Sequence, residues 1–198
     1  MLANFSVEQS LMKAKSYAKK GKTLEAQKLY ETILKNFSNN IRAQQGLAAL
    51  IKLKQSKVIQ GLPQDEVNQL VNLYNRGQFS AAVEQAEMLT EKYPEVIIAW
   101  NILGASRFQI GILDGAVDAY KKSISLMPFN AETYSNMGVA LKNQGKLDEA
   151  IEAYLKAISI KPEYAEAYNN MGVTLRDQGK LEEAIKVFNK AISIKPDF

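Results

Sequence analysis

Neither cysteine nor histidine occurs in the 198 residues of this chain. Their absence removes disulfides, thiol nucleophiles, zinc sites built on thiolate or imidazole, and every imidazole-dependent triad or general base. Carboxylate and lysine chemistry is left, but these charges fall mostly on helix faces open to water. No catalytic residue, cofactor or metal is therefore expected. Long apolar runs are missing too: stretches such as LAALI (47–51) and VIIAW (96–100) fall far short of the roughly 20 residues that span a bilayer. The start, MLANFSVEQSLMKAK, lacks the charged opening and apolar stretch of a secretory signal, so no membrane insertion and a cytoplasmic location are expected.

Charge is unevenly spread. Residues 1–62 hold eleven Lys/Arg against three Asp/Glu, whereas residues 63–198 hold fourteen against eighteen. A basic first third has the sign to meet nucleic acid or acidic lipid. Its lysines are scattered around helices with few aromatic neighbours to stack bases, which favours a solvated surface and disfavours nucleic acid.

Proline is scarce, and its placement is informative. Four of the five prolines, at 94, 128, 162 and 196, stand 34 residues apart, as do Gly77, Gly111, Gly145 and Gly179. Residues 131–164 and 165–198 align without a gap and are identical at 22 of 34 positions. Gly21 precedes Gly77 by 34 plus a further 22 residues, placing another repeat at 7–40 followed by an insertion at 41–62. A fixed period of this size marks a solenoid.

Each repeat reads as two helices. Tyr168, Met171, Gly172 and Leu175 form one apolar stripe, and Leu181, Ala184, Ile185, Phe188, Ala191 and Ile192 form a second. Gly179 ends the first helix by adopting the left-handed conformation, and Pro196 cannot continue the second. Gly104, Gly138 and Gly172 share one position of the first helix, and Ala26, Ala82, Ala116, Ala150 and Ala184 share one of the second. Small residues there let the axes approach, while Tyr120, Tyr154 and Phe188 fill the space beside them.

The series Tyr134, Met137, Gly138, Leu141, Gly145, Ala150, Tyr154, Ala157 and Pro162 resembles the tetratricopeptide repeat. The likeness is strong over 97–198, good over 7–40 and weaker over 63–96, where Leu70 replaces the glycine and Ala86 the aromatic. In 97–130, Arg107 replaces a large apolar residue and Ser123 an alanine. The resemblance implies an all-α, right-handed α-solenoid of stacked antiparallel helix pairs. The expected organisation is residues 1–62, with one repeat at 7–40, an unpaired helix at 41–55 and a spacer at 56–62. Four consecutive repeats follow at 63–96, 97–130, 131–164 and 165–198. Pro63 suits the first turn of a new helix.

The family curves so that first helices line a concave wall, where partners lie as extended peptides or helices. Register places Ser135, Asn136, Lys142 and Asn143, then Asn169, Asn170, Arg176 and Asp177, on that wall, together with Asn101 in the repeat before. An amide offers donors and an acceptor that match a peptide unit. Asn136 and Asn170, one period apart, resemble the asparagine ladder of the O-linked N-acetylglucosamine transferases. The alternative is that these amides are solvated or bond within the array. A carboxylate clamp for chaperone tails is not expected, because Leu11/Lys15, Asn101/Ala105, Ser135/Val139 and Asn169/Val173 all lack its Lys–Asn pair. Ile98, Ile102, Phe108 and Ile110 either pack or form an apolar docking strip.

Two functions are consistent with these features. One is a noncatalytic scaffold binding a protein or peptide on the concave face. The other is the recruiting region of a longer glycosyltransferase or sulfotransferase, whose N-terminal arrangement this order of repeats resembles. The sequence stops at KPDF without a polar capping helix, so self-association through the last repeat, or a continuing chain, is expected.

Overall fold

In the computed structural model, which describes residues 2–60 and 64–197, eleven α-helices follow one another, and no strand occurs among the described residues. They are α1 (Leu2–Lys19), α2 (Thr23–Asn36), α3 (Ile41–Gln60), α4 (Gln64–Asn75), α5 (Phe79–Lys92), α6 (Ile97–Gln109), α7 (Leu113–Leu126), α8 (Ala131–Asn143), α9 (Leu147–Ile160), α10 (Ala165–Asp177) and α11 (Leu181–Ile194). The fold is an all-α solenoid of stacked helix pairs. Its contacts divide it into two compact units, Met1–Val58 and Ile59–Phe198.

In the first unit α1 packs on α2, and α3 buries Ala43, Leu47 and Leu50. Gly46 of α3 lies against the ring of Tyr30, so close that no Cβ fits between them. The helix α3 runs to Gln60, into the stretch read as a spacer. The segment SKVIQ at 56–60 holds no glycine or proline to stop it. Residues 61–62 of that spacer lie outside the described residues.

In the second unit the pairs are α4–α5, α6–α7, α8–α9 and α10–α11, and each later pair lays its first helix on the second helix before it. Turns within pairs close on glycine. Gly145 has φ of +78°, and Lys146 N–H donates to the Leu141 carbonyl at 3.0 Å, the bond that closes a helix C-terminus. Where α8 crosses α9, a Cβ on Gly138 would lie 2.6 Å from Cε1 of Tyr154. The same contact recurs between Gly104 and Tyr120 and between Gly172 and Phe188. Around these crossings Ala116, Tyr120, Ala140, Leu141, Ala150, Ala153, Tyr154, Met171 and Leu175 form one continuous core. Burial pushes the Tyr154 hydroxyl from 10.0 up to about 12.

Repeats that depart from the pattern compensate through contacts within and between repeats. Leu70 and Ala86, the exchanged pair of 63–96, are both fully buried, so large and small have traded places. Arg107 donates to the Gly115 carbonyl at 3.1 Å and to the Glu87 carboxylate at 2.7 Å, turning an apolar position into a link between helices. Ser123 and Thr133 both donate to the Asn101 side-chain oxygen, at 2.6 and 3.2 Å. This small network ties α6, α7 and α8. Adjacent repeats are also joined from outside: Gln144 donates to Asp114, and Gln178 to Asp148, each at 2.8 Å.

These contacts carry three expectations for unfolding followed by circular dichroism. Gly138→Ala gains about 1 kcal/mol of helix propensity, yet the variant should be less stable than the parent, because overpacking costs about 1–3 kcal/mol. A stabilised variant would show the crossing to be loose. Gly145→Ala should lose roughly 1–2 kcal/mol through left-handed strain alone, since nothing lies within 4 Å of its added Cβ; Gly145→Asn should lose less. Because Tyr154 has a raised pKa in the folded state, its contribution is intact below pH 10.0 and is lost as pH rises through about 12. Tyr154→Phe should show a shallower alkaline loss than the parent.

Candidate functional site

The first helices α8 and α10 carry the face on which sequence register placed most candidate residues. Asn136 and Asn170 occupy equivalent positions on the two helices and are both partly exposed. Asn169 precedes Asn170 and is also partly exposed. Among the described residues, no side-chain hydrogen bond engages the amide of any of these three. They remain able to donate and accept toward a ligand.

The other candidates divide. Ser135 is only 1% exposed, lying beside the Tyr164 hydroxyl, so its side chain does not reach the wall as register implied. The cause is Tyr164, the last residue of the same repeat and the N-cap of α10, whose hydroxyl lies beside it. Asn101 is committed to Ser123 and Thr133 through its side-chain oxygen. Asn143 is exposed, and its amide nitrogen donates to the Val139 carbonyl of its own helix at 2.8 Å.

At the C-terminal ends of the two helices, Lys142 meets the Asp177 carboxylate at 3.0 Å and Arg176 meets it at 2.9 Å. The hydrogen bond from Lys142, and then that from Arg176, hold the Asp177 carboxyl below its ordinary 3.8. Asp177 is therefore ionised at neutral and mildly acidic pH, and it balances one of the two cations. Asp177, at the centre of this charge cluster, stands about two helical turns beyond Asn170 on α10.

The isoleucines and phenylalanine of 97–130 mostly pack. Ile102 is buried and Phe108 lies against the core, while Ile110 is exposed. Among the described residues, no group of three Asp, Glu, His or Cys side chains is placed to hold a metal ion, and no helix is long and apolar enough to cross a membrane.

One surface escaped the sequence reading. In the first unit, α1 and α3 enclose a groove of about 760 Å³ lined by Leu11, Met12, Ala49, Leu50 and Leu53, with Lys15, Lys19 and Arg42 at its edges. The signal was present in register. Leu11 and Met12 stand at the positions of Ser135 and Asn136, so the same helix face changes from amide to apolar.

Models described as tetratricopeptide repeat match residues 10–40 and 129–197, and one described as TPR repeat matches 104–145. Together they cover more than half of the chain. No curated protein matches it. A crystal structure of MamA is 27% identical, with a TM-score of 0.61 over 93% of this chain and 95% of that one. A second MamA structure is 26% identical, with a TM-score of 0.60 over 96% and 92%. YrrB, described as a TPR protein with an unusual peptide-binding site, shares the fold at 20% identity and a TM-score of 0.59 over 95% and 86%. Repeat spacing, helix pairing and these matches agree: the chain belongs to the tetratricopeptide repeat family.

Proposed function

We propose that this protein is a noncatalytic interaction scaffold that holds an extended peptide on the face formed by α8 and α10. The observation that carries this reading is the pair Asn136 and Asn170. Each amide is partly exposed, unengaged by other side chains among the described residues, and repeated at the period of the array. A peptide backbone presents one donor and one acceptor per residue, and an unpaired backbone group costs free energy on leaving water. Two amides on neighbouring helices supply matching partners with little regard for ligand side chains. Asn169 adds a third amide beside them. The Lys142–Asp177–Arg176 cluster, with one cation in excess, favours an acidic group at that end of the peptide.

The family supports the scaffold reading, and YrrB supplies an instance of peptide binding on the same fold. Three consequences separate this face from others. The bound segment is extended, its contacts are mostly main-chain, and its affinity falls when the amides are removed while folding is unaffected.

The test uses a peptide selected from a displayed random library against the full chain and then titrated by fluorescence anisotropy. Replacing Asn136 and Asn170 together by Ala should weaken binding by about 1–3 kcal/mol, on the order of tenfold to a hundredfold. Helicity and melting should be nearly unchanged. Unaltered affinity for a ligand mapped to α8 and α10 would remove the amides from the site.

A further inference from the structure

The first unit presents a different chemistry from α8 and α10. Its groove floor is Leu11, Met12, Ala49, Leu50 and Leu53. Met12 is 63% exposed and Leu53 49%, so two large apolar side chains of this floor face water within one concavity. Soluble surfaces tolerate scattered apolar residues, but a contiguous apolar trough rimmed by polar groups marks an interaction site. The rim is basic. Lys15, Lys19 and Arg42 line it against a single carboxylate, Glu8, which Arg42 already engages at 2.6 Å. The surrounding sequence has the same sign, with eleven Lys/Arg and three Asp/Glu in residues 1–62.

The polar inventory of the groove also limits the form of its ligand. Among the described residues, Gln45 is the only amide side chain lining it, and beyond the charged rim the other polar group is the hydroxyl of the buried Tyr30. An extended peptide laid on this floor would leave most of its backbone N–H and C=O groups without partners, at a cost of free energy for each. A helix satisfies its own backbone and offers only side chains. Apolar anchors spaced along one helix face enter such a trough, and acidic residues flanking that face meet the lysines.

From this floor, this rim and this shortage of amides, we infer that the groove between α1 and α3 is a second docking site, whose ligand is an acidic amphipathic helix of a partner protein. The site is independent of the amide face on α8 and α10. It shares no residue with that face and selects the opposite backbone conformation.

The experiment displays two randomised libraries of peptides about four helical turns long on the full-length chain. One is biased to Glu/Asp and Leu/Ile/Phe at helical spacing, the other to Lys/Arg with the same apolar pattern. Acidic clones should be enriched, should gain helicity on binding, and should bind less tightly as salt is added. Leu53→Glu and Met12→Glu should each weaken them by about tenfold or more, as should Lys15→Glu combined with Lys19→Glu. All these side chains are exposed, and circular dichroism should confirm folded variants. The paired change Asn136→Ala and Asn170→Ala should leave these clones bound, which separates failure here from failure of the peptide face.

Several results would overturn the inference: no enrichment from the acidic library, equal enrichment of basic clones, or binding indifferent to Leu53→Glu. Concentration-dependent association of the parent chain that Leu53→Glu abolishes would assign the groove to a second copy instead. Binding of an oligonucleotide or an anionic vesicle that is lost with the lysines but unaffected by Leu53→Glu, without enrichment of acidic helices, would assign the basic rim to that partner.

Discussion

The contact on which the rest depends is an aromatic ring laid directly on a glycine backbone. Tyr154 on Gly138, Tyr120 on Gly104 and Phe188 on Gly172 set how close two helices come within each pair. Pairs of that thickness then stack, each first helix on the second helix of the pair before it, so the period of 34 residues in the sequence becomes a repeated contact in space. The burial that results is continuous. One core runs from Ala116 to Ala184 through three successive repeats, so no pair is stable by itself and each completes its neighbour.

Because helix packing is settled by one stripe of each first helix, the opposite stripe is released from structural duty. The second unit uses it for amides and a charge cluster, and the first for an apolar trough with a basic rim. The same backbone register thus presents two surfaces of different chemistry. What distinguishes them is the hydrogen-bonding capacity of positions such as Met12 and Asn136, and through it the backbone conformation each surface can accept.

The glycines, prolines and alanines of the repeat were legible because they answer backbone and close-packing requirements that any reader of the chain can apply. Tyr154 and Phe188 were legible for the same reason, as the bulk that glycine leaves room for. Less could be read at residues whose surroundings are brought in by other helices. Ser135 sits on the wall by register, but Tyr164, 29 positions later, covers it. Asn101 looks like a wall amide until Thr133 is brought to it. Arg107 looks like an error in a core until Gly115 and Glu87 are seen around it. The groove between α1 and α3 was not legible because the apolar pattern of 41–55 does not tell how much of that helix the first pair leaves uncovered.

The exchanged pair of 63–96 shows what the pattern of letters actually encodes. Leu70 occupies the place of a glycine and Ala86 that of a tyrosine, and both are sealed from solvent. The helices of this repeat still pair with each other and α5 still carries α6, although α4 and α5 meet less extensively than the helices of the other pairs. The invariant is the combined volume of two positions, not the identity of either. Drift through this repeat is therefore constrained in pairs: a lone Leu70→Gly opens a hole and a lone Ala86→Tyr has nowhere to go. Movement between the two solutions requires both changes, or an intermediate such as alanine at both sites, and related chains should be found at one end or the other far more often than between them.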